Sequence, residues 1–268
     1  MRRLADVSLR DVQAVYNGPE GRLWELVMGE QIHIGGFESS MDLAERAKIR
    51  PGATGIDLCC CLGAGMRFLT RFCRVDRMWG VDATEGVVEL GRRRCADEGL
   101  DGRIRFILAD VTNSGLPDAS ADFVWGEDAW CYVADKPALI REAVRLVRPG
   151  GTIAFTDWVE GPVRMADAEA ERLGRFMKFA NIESVDGYAA LLAANGCEAV
   201  VAADTGRFAP CVDLYVNMLT TQLTYDALKI LGYDTAAMTA LGDEMAFMQR
   251  LAHERKLIQG VFVARKPV

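Results

Sequence analysis

The sequence predicts an α/β protein built on a doubly wound, parallel sheet, and three observations carry that expectation. Short apolar runs alternate with helical patterns of roughly ten residues through the middle of the chain, as βαβ units do. Four of those runs end on an acidic residue: Asp57, Asp82, Asp110 and Glu127. The first run leads into a turn carrying Gly63 and Gly65, where an α/β protein of this kind places its ligand-binding loop.

Taken in order, residues 1–50 read as a helical lid. "SLRDVQAVY" is a helix with Ser8 as its N-cap, and a second helix follows Ser39-Ser40. Between them, "GEQIHIGGF" is a glycine-rich and unusually apolar loop. Residues 51–207 form the core. "ATGIDLCC" is its first strand, with a helix over 66–72, and "RMWGVDA" the second, with a helix over 85–98. "RIRFILAD", "ADFVWGED" and "GTIAFTDWV" complete five strands, with a helix over 136–147 that Pro149-Gly150-Gly151 terminates. A helical stretch over 165–179 leads to a helix and a strand within "ESVDGYAALLAANGCEAVVAAD". Residues 208–256, rich in Met and aromatics at helical spacing, form a cap inserted before the final strand, 257–268.

Composition narrows the function. The 268 residues are half hydrophobic and about a quarter charged, with a net charge of -7, which is ordinary for a globular enzyme. The densest basic cluster, Arg92-Arg93-Arg94, precedes Asp97 and Glu98 and reads as a solvated helix face, so no nucleic-acid partner is expected. No apolar run is long enough to cross a bilayer, and no hydrophobic signal region opens the chain. Eight cysteines, three of them consecutive, lie in apolar segments as buried thiols do. A reducing cytoplasm is the expected compartment, and no metal site is expected because adjacent cysteines rarely converge on one ion. The sequence leaves a homo-oligomer open.

In an open parallel sheet, ligands bind beyond the carboxyl ends of the strands. Asp82 stands twenty-five residues after Asp57, where an acid accepts bonds from ribose hydroxyls. Asp110 can accept from an exocyclic amine, and Glu127 faces the same crevice. Four acids disfavour a phosphate-rich ligand and suit an adenosine that carries a sulfonium and an amino group. That chemistry points to S-adenosylmethionine (SAM).

The order "DLCCCLGAG", "VDA", "PDASADFVW", "RLVRPGG", "AFTDW" resembles the class I SAM-dependent methyltransferases over roughly residues 40–205. "GEQIHIGGF" and "EDAW" resemble the glycine, sarcosine and dimethylglycine N-methyltransferase group of small-molecule enzymes. The resemblance implies a Rossmann-like sheet whose last strand is antiparallel, SAM as cofactor and S-adenosylhomocysteine (SAH) as product. It implies cofactor contacts at Asp57, Cys59, Cys61, Gly63, Gly65, Asp82, Ala83, Asp110, Val111 and Glu127. That family reads Gly-Cys-Gly or Cys-Cys-Gly in this loop, so Cys59 is tolerable, but Cys61 replaces the glycine most closely applied to the cofactor and the floor of the site is altered.

The expected reaction is methyl transfer to a small-molecule acceptor, foremost an amine nitrogen. An O-, S- or C-methyltransferase is the alternative, as is a SAM-fold protein whose use of the cofactor Cys61 has changed. Glu127, His33 and Tyr132 are the candidates for removing a proton from the acceptor. Tyr16, His33, Trp130 and Trp158 are candidate substrate contacts, the aromatics as walls of an ammonium cage. A carboxylate acceptor would need an arginine, for which Arg164, Arg175 and Arg207 are candidates.

Overall fold

In the computed structural model, which describes all 268 residues, the chain opens with strand β1 (Arg2–Arg3) and helices α1 (Leu9–Asn17), α2 (Pro19–Met28) and α3 (Gly36–Ala47). The core then alternates β2 (Thr54–Leu58), α4 (Ala64–Phe72), β3 (Arg77–Asp82), α5 (Glu85–Asp97), β4 (Ile104–Leu108) and β5 (Ala121–Glu127). After α6 (Lys136–Leu146) come β6 (Val147–Glu160), α7 (Asp167–Met177), β7 (Asn181–Ile182), α8 (Val185–Ala194) and β8 (Glu198–Asp204). Helices α9 (Phe208–Thr220), α10 (Thr224–Ile230) and α11 (Thr235–His253) precede the last strand, β9 (Leu257–Arg265).

Seven strands pair in the order β4-β3-β2-β5-β6-β9-β8, and β1 pairs with β7 in a separate two-stranded ladder. Neighbours are parallel from β4 to β6, whereas β9 runs antiparallel between β6 and β8. This is a Rossmann-like sheet with its last strand antiparallel, as the resemblance implies. One apolar layer joins the sheet to α6 and α8 and another joins it to α3, α4 and α5. A third lies away from the sheet faces and binds α1, α2, α7 and the three cap helices together.

Two expectations for the lid need correction. Ser39 and Ser40 lie inside α3, which starts at Gly36 behind a left-handed Gly35 (φ 82°), so they are not its cap. Helix α2 was not anticipated, although Pro19 at its first turn behind Gly18 is a start signal. Ser8 does begin α1: its N–H and hydroxyl both donate to the Asp11 carboxylate, at 2.8 and 2.6 Å.

Behind the sheet's ligand edge lies a buried polar knot. The Asp157 carboxylate accepts the Cys131 N–H (2.9 Å) and the Tyr188 hydroxyl (2.6 Å). The buried Lys136 ammonium donates to Asn181 Oδ1 (2.7 Å) and the Val133 carbonyl (3.0 Å). Burial raises Asp157 from 3.8 to about 6, outweighing the attraction of Lys136 and the two hydrogen bonds. Below pH 4 the group is protonated folded or unfolded and costs nothing. Between pH 4 and 6 the unfolded chain ionises first, so stability falls by up to about 3 kcal/mol and stays lower above pH 6. Replacing Asp157 by Asn is expected to flatten the denaturation free energy across that window. Parallel curves for variant and parent would show that Asp157 is not the source.

Candidate active site

Beyond the carboxyl ends of β2, β3 and β4 lies a cavity of about 270 Å³. Its floor is made by Cys59 and Cys61 and its rim by Asp82, Ala83, Thr84, Asp110 and Val111. The lid covers it with Val7, Leu9, Val12 and Tyr16, and Tyr132 and Val133 close the far end. Gln13 pins the lid to the rim by donating to the Ala83 carbonyl at 2.7 Å. Asp82 accepts the Cys61 N–H (3.0 Å) on one oxygen and the Thr84 N–H (2.9 Å) on the other. Each oxygen keeps a free lone pair, so a vicinal diol can still be received. Asp110 uses one oxygen to turn its own chain, accepting the Thr112 N–H and hydroxyl, both at 2.8 Å. Its second oxygen carries no such bond.

Tyr16, Cys59, Cys61 and Ala129 also border a smaller inner chamber of about 50 Å³, which contains His33, Asp57, Gly65 and Glu127. Here the loop before α3 is stitched to the end of β5. Ser40 donates to Glu127 Oε1 (2.6 Å) and accepts Gln31 Nε2 (2.9 Å). His33 Nε2 lies 3.1 Å from Ser40 Oγ and 3.4 Å from Glu127 Oε1, and its Nδ1 lies 3.4 Å from the Ile34 carbonyl. Both ring nitrogens thus face oxygen, an arrangement that accommodates a doubly protonated imidazole. Asp128 holds the same loop, accepting the Ile34 N–H (2.8 Å) and Gln259 Nε2 (2.8 and 3.0 Å).

The chamber's electrostatics call for a cation. Burial first, then Glu127 and Asp82, hold Asp57 well above the usual carboxylate range. No Lys or Arg lines either chamber. Gly65 keeps the space open: a Cβ there would come within 2.8 Å of Glu127 Oε2 and 3.3 Å of Asp57 Oδ2. The buried Trp125 indole N–H, which lacks a hydrogen-bond partner, would stand 3.4 Å from the same Cβ. Acids for an ammonium, a free N–H for an anionic oxygen, a diol-accepting Asp82 and apolar walls for a purine together fit SAM.

The cysteines at 59 and 61 adopt the backbone that glycine would supply. Cys59 has φ 65° and Cys61 φ 45°, in the left-handed region that a Cβ disfavours by about 1–2 kcal/mol. Glycine would relieve that strain and give back roughly 0.4–1 kcal/mol in unfolded-chain entropy. Replacing Cys61 by Gly is therefore expected to stabilise the fold by up to about 1 kcal/mol. Urea denaturation checks it, and a loss of stability would mean that the thiol's packing outweighs the strain.

The structure brings Tyr16, His33, Asp57, Cys59, Cys61, Asp82, Ala83, Asp110, Val111, Glu127 and Tyr132 to the two chambers. Gly63 lines neither; it begins α4 at φ 74°, packed under Phe106. Trp130 and Trp158 are corrections. Trp130 is fully buried, stacks on Phe155 (centroids 4.0 Å apart) and donates to the Leu58 carbonyl, so neither ring face is free for a ligand. Trp158 is enclosed edge-on by Phe179 and Phe208. Tyr132 lines the cavity, but burial raises its phenol far above neutrality, so it is no ready base. The three arginines are elsewhere: Arg175 pairs with Glu171, Arg207 with Asp42, and Arg164 is exposed. The cap lines neither chamber, the cover being α1 and the loop before α3. Ser40, Gln31 and Gln259 were missed because their roles arise only when distant segments meet.

Residues 56–155 match the model of the methyltransferase domain. The 27-O-demethylrifamycin SV methyltransferase of Amycolatopsis mediterranei is 29% identical over 202 residues, covering 69% of this chain and 73% of that protein. The chain spans about a third of the length of the Arabidopsis thaliana phosphoethanolamine N-methyltransferases it matches at 26% identity, 68% of it being aligned. Among solved structures, phosphoethanolamine N-methyltransferase 2 of Haemonchus contortus, in complex with phosphomonomethylethanolamine and SAH, superposes with TM-score 0.83. It is 18% identical over 98% of this chain and 61% of its own. The 4+2 cyclase SpnF superposes with TM-score 0.80, at 20% identity over the whole of both chains. At these identities the structural likeness shows the fold.

Proposed function

We propose that this chain, a class I SAM-dependent methyltransferase by its domain match and its fold, moves the methyl group of SAM to the nitrogen of a small amine. One observation carries this reading: with Asp57 taken by the cofactor's amino-acid end, Glu127, beside Ser40 and His33 in a chamber that no Lys or Arg lines, is left for an acceptor that arrives as an ammonium ion. A carboxylate such as that of glycine or sarcosine finds no arginine in either chamber.

SAM, when bound, supplies an already activated methyl group, so the protein has to hold, orient and exclude water rather than activate a leaving group. Asp82 would hold the ribose, Asp110 and Val111 the base, and the loop from Asp57 to Gly65 the amino-acid end. The acceptor's proton would pass to His33, whose charged ring is then flanked by Glu127, Ser40 and the Ile34 carbonyl. Replacing His33 by Ala is expected to lower turnover by about 10²–10⁴-fold and to leave SAH affinity within a few fold. A variant that loses SAH affinity but keeps turnover would remove His33 from acceptor chemistry.

Calorimetric titration with SAM and SAH tests the reading at its base. One site per chain is the expected result; absence of binding by folded protein would end it. Methylation of phenols or thiols but not amines would favour the O- or S-transfer alternative.

A further inference from the structure

His33 sits on a loop in which one peptide unit is gripped from three sides. The Ile34 N–H donates to Asp128 Oδ2 at 2.8 Å, and the Ile34 carbonyl accepts Gln259 Nε2 at 3.2 Å. The Gly35 N–H, at the other end of that peptide, donates to the Tyr215 hydroxyl at 3.4 Å. Gly35 has φ 82°, and a glycine tolerates its preceding peptide in either orientation. The side chains, not the backbone, therefore decide which way the Ile34 carbonyl points.

Gln259, fully buried on β9, is the centre of the grip. Its Oε1 accepts the Thr205 hydroxyl at 3.0 Å, while Nε2 meets the two Asp128 oxygens at 3.0 and 2.8 Å as well as the Ile34 carbonyl. Reversed, the amide oxygen would lie against three oxygens, so the amide faces one way only. Asp128 reaches it from φ 50°, a left-handed conformation that a side chain disfavours. The Ile34 carbonyl is also the hydrogen-bond partner of His33 Nδ1, 3.4 Å away. A carbonyl oxygen only accepts, so Nδ1 carries a proton. The nitrogen left to take up and release one is Nε2, which faces Ser40 Oγ at 3.1 Å and Glu127 Oε1 at 3.4 Å.

We infer that Gln259 is a positioning residue for His33: by fixing the Ile34 carbonyl it holds the neutral ring as its Nδ1–H tautomer and reserves Nε2 as the proton-accepting atom. The inference rests on the proposed passage of the acceptor's proton to His33. In that step an N–H bond of the acceptor ammonium breaks and its electron pair stays on nitrogen as the attacking lone pair. The proton bonds to Nε2, while Nδ1 keeps its own proton on the carbonyl. A ring of the opposite tautomer would already carry a proton at Nε2 and could accept none there.

The chain has only two histidines, so isotopic labelling of the histidine nitrogens reads the ring directly. Long-range proton–nitrogen spectra are recorded on the free and SAH-loaded protein, with the pH raised until the rings are neutral. His253 is exposed at the end of α11, and a His253→Gln variant assigns the signals. The parent His33 is expected to show the Nδ1–H pattern. Gln259→Met keeps the length of the side chain without its amide, and Gln259→Asn keeps an amide drawn back by one methylene. Both are expected to lose that pattern to an Nε2–H or averaged one, with the His253 signals unchanged. A parent ring that keeps its proton on Nε2 would overturn the inference before any variant is made. An Nδ1–H pattern that survives in whichever variant folds would overturn it too. Failure to bind SAH would instead bring down the methyltransferase reading, while the ring is still read in the free protein, so the two failures are distinct.

Discussion

Replacing Trp130 by alanine is expected to destabilise the protein by about 3–5 kcal/mol, the largest loss of stability of any single substitution proposed. The indole is fully buried between the end of β5 and β6. It stacks on Phe155, which in turn stacks on Phe262, and its N–H reaches the Leu58 carbonyl at 3.1 Å. Gly126 is small for the same reason: a Cβ there would come within 2.3 Å of the indole nitrogen. Removal leaves a cavity and an unpaired carbonyl at the tip of the strand that presents Asp57. Urea denaturation measures the loss. If Trp130 were instead a wall of an ammonium cage, stability would be nearly unchanged and only acceptor affinity would fall; that outcome would reverse the assignment.

The second large effect concerns cofactor affinity. Replacing Asp82 by Ala is expected to weaken SAH binding by roughly 1–3 kcal/mol, or about 5- to 150-fold. Two losses combine, since Asp82 also accepts the N–H groups of Cys61 and Thr84 and so shapes the loop beneath the cofactor. Replacing Asp82 by Asn keeps one accepting oxygen but loses the charge and sets an amide NH2 against the second N–H, so its affinity should fall between parent and Ala. Affinity unchanged in the folded Ala variant would refute the ribose assignment.

The parts of the molecule legible in the sequence are those fixed by local pattern. The alternating strands, the acids at their ends and the antiparallel last strand all stand where expected, because strand ends of a parallel sheet point at one crevice. The inner chamber was legible only in its acids. Ser40 was misread as a helix cap because Ser-Ser before an apolar helix is a start signal, yet here Gly35 turns the chain five residues earlier. Trp130 and Trp158 were misread because composition cannot say which aromatic faces a ligand and which faces Phe155 or Phe208. The cap held the opposite surprise. Phe208, Tyr215, Met245, Phe247 and Met248 do pack as a core, whereas Tyr225 and Tyr233 are exposed; that core lies over α2 and β9, and it braces the lid rather than covering the cleft. Gln259 shows why sequence could not supply this. It lies in the last strand, yet clamps the loop at Ile34 through Asp128, across a separation no local signal spans.

The three consecutive cysteines have a chemical consequence of their own. A methyl sulfonium is an alkylating agent, and a thiolate beside it would be methylated in place of any acceptor. Burial, reinforced by Asp82 and Asp57, drives Cys59, Cys60 and Cys61 upward, so all three stay neutral thiols at physiological pH. Neutral thiols are poor nucleophiles. The same acids that would attract the cofactor therefore also protect the protein from it, leaving a sulfur-lined floor that resists self-alkylation and, by the same token, common thiol-modifying reagents.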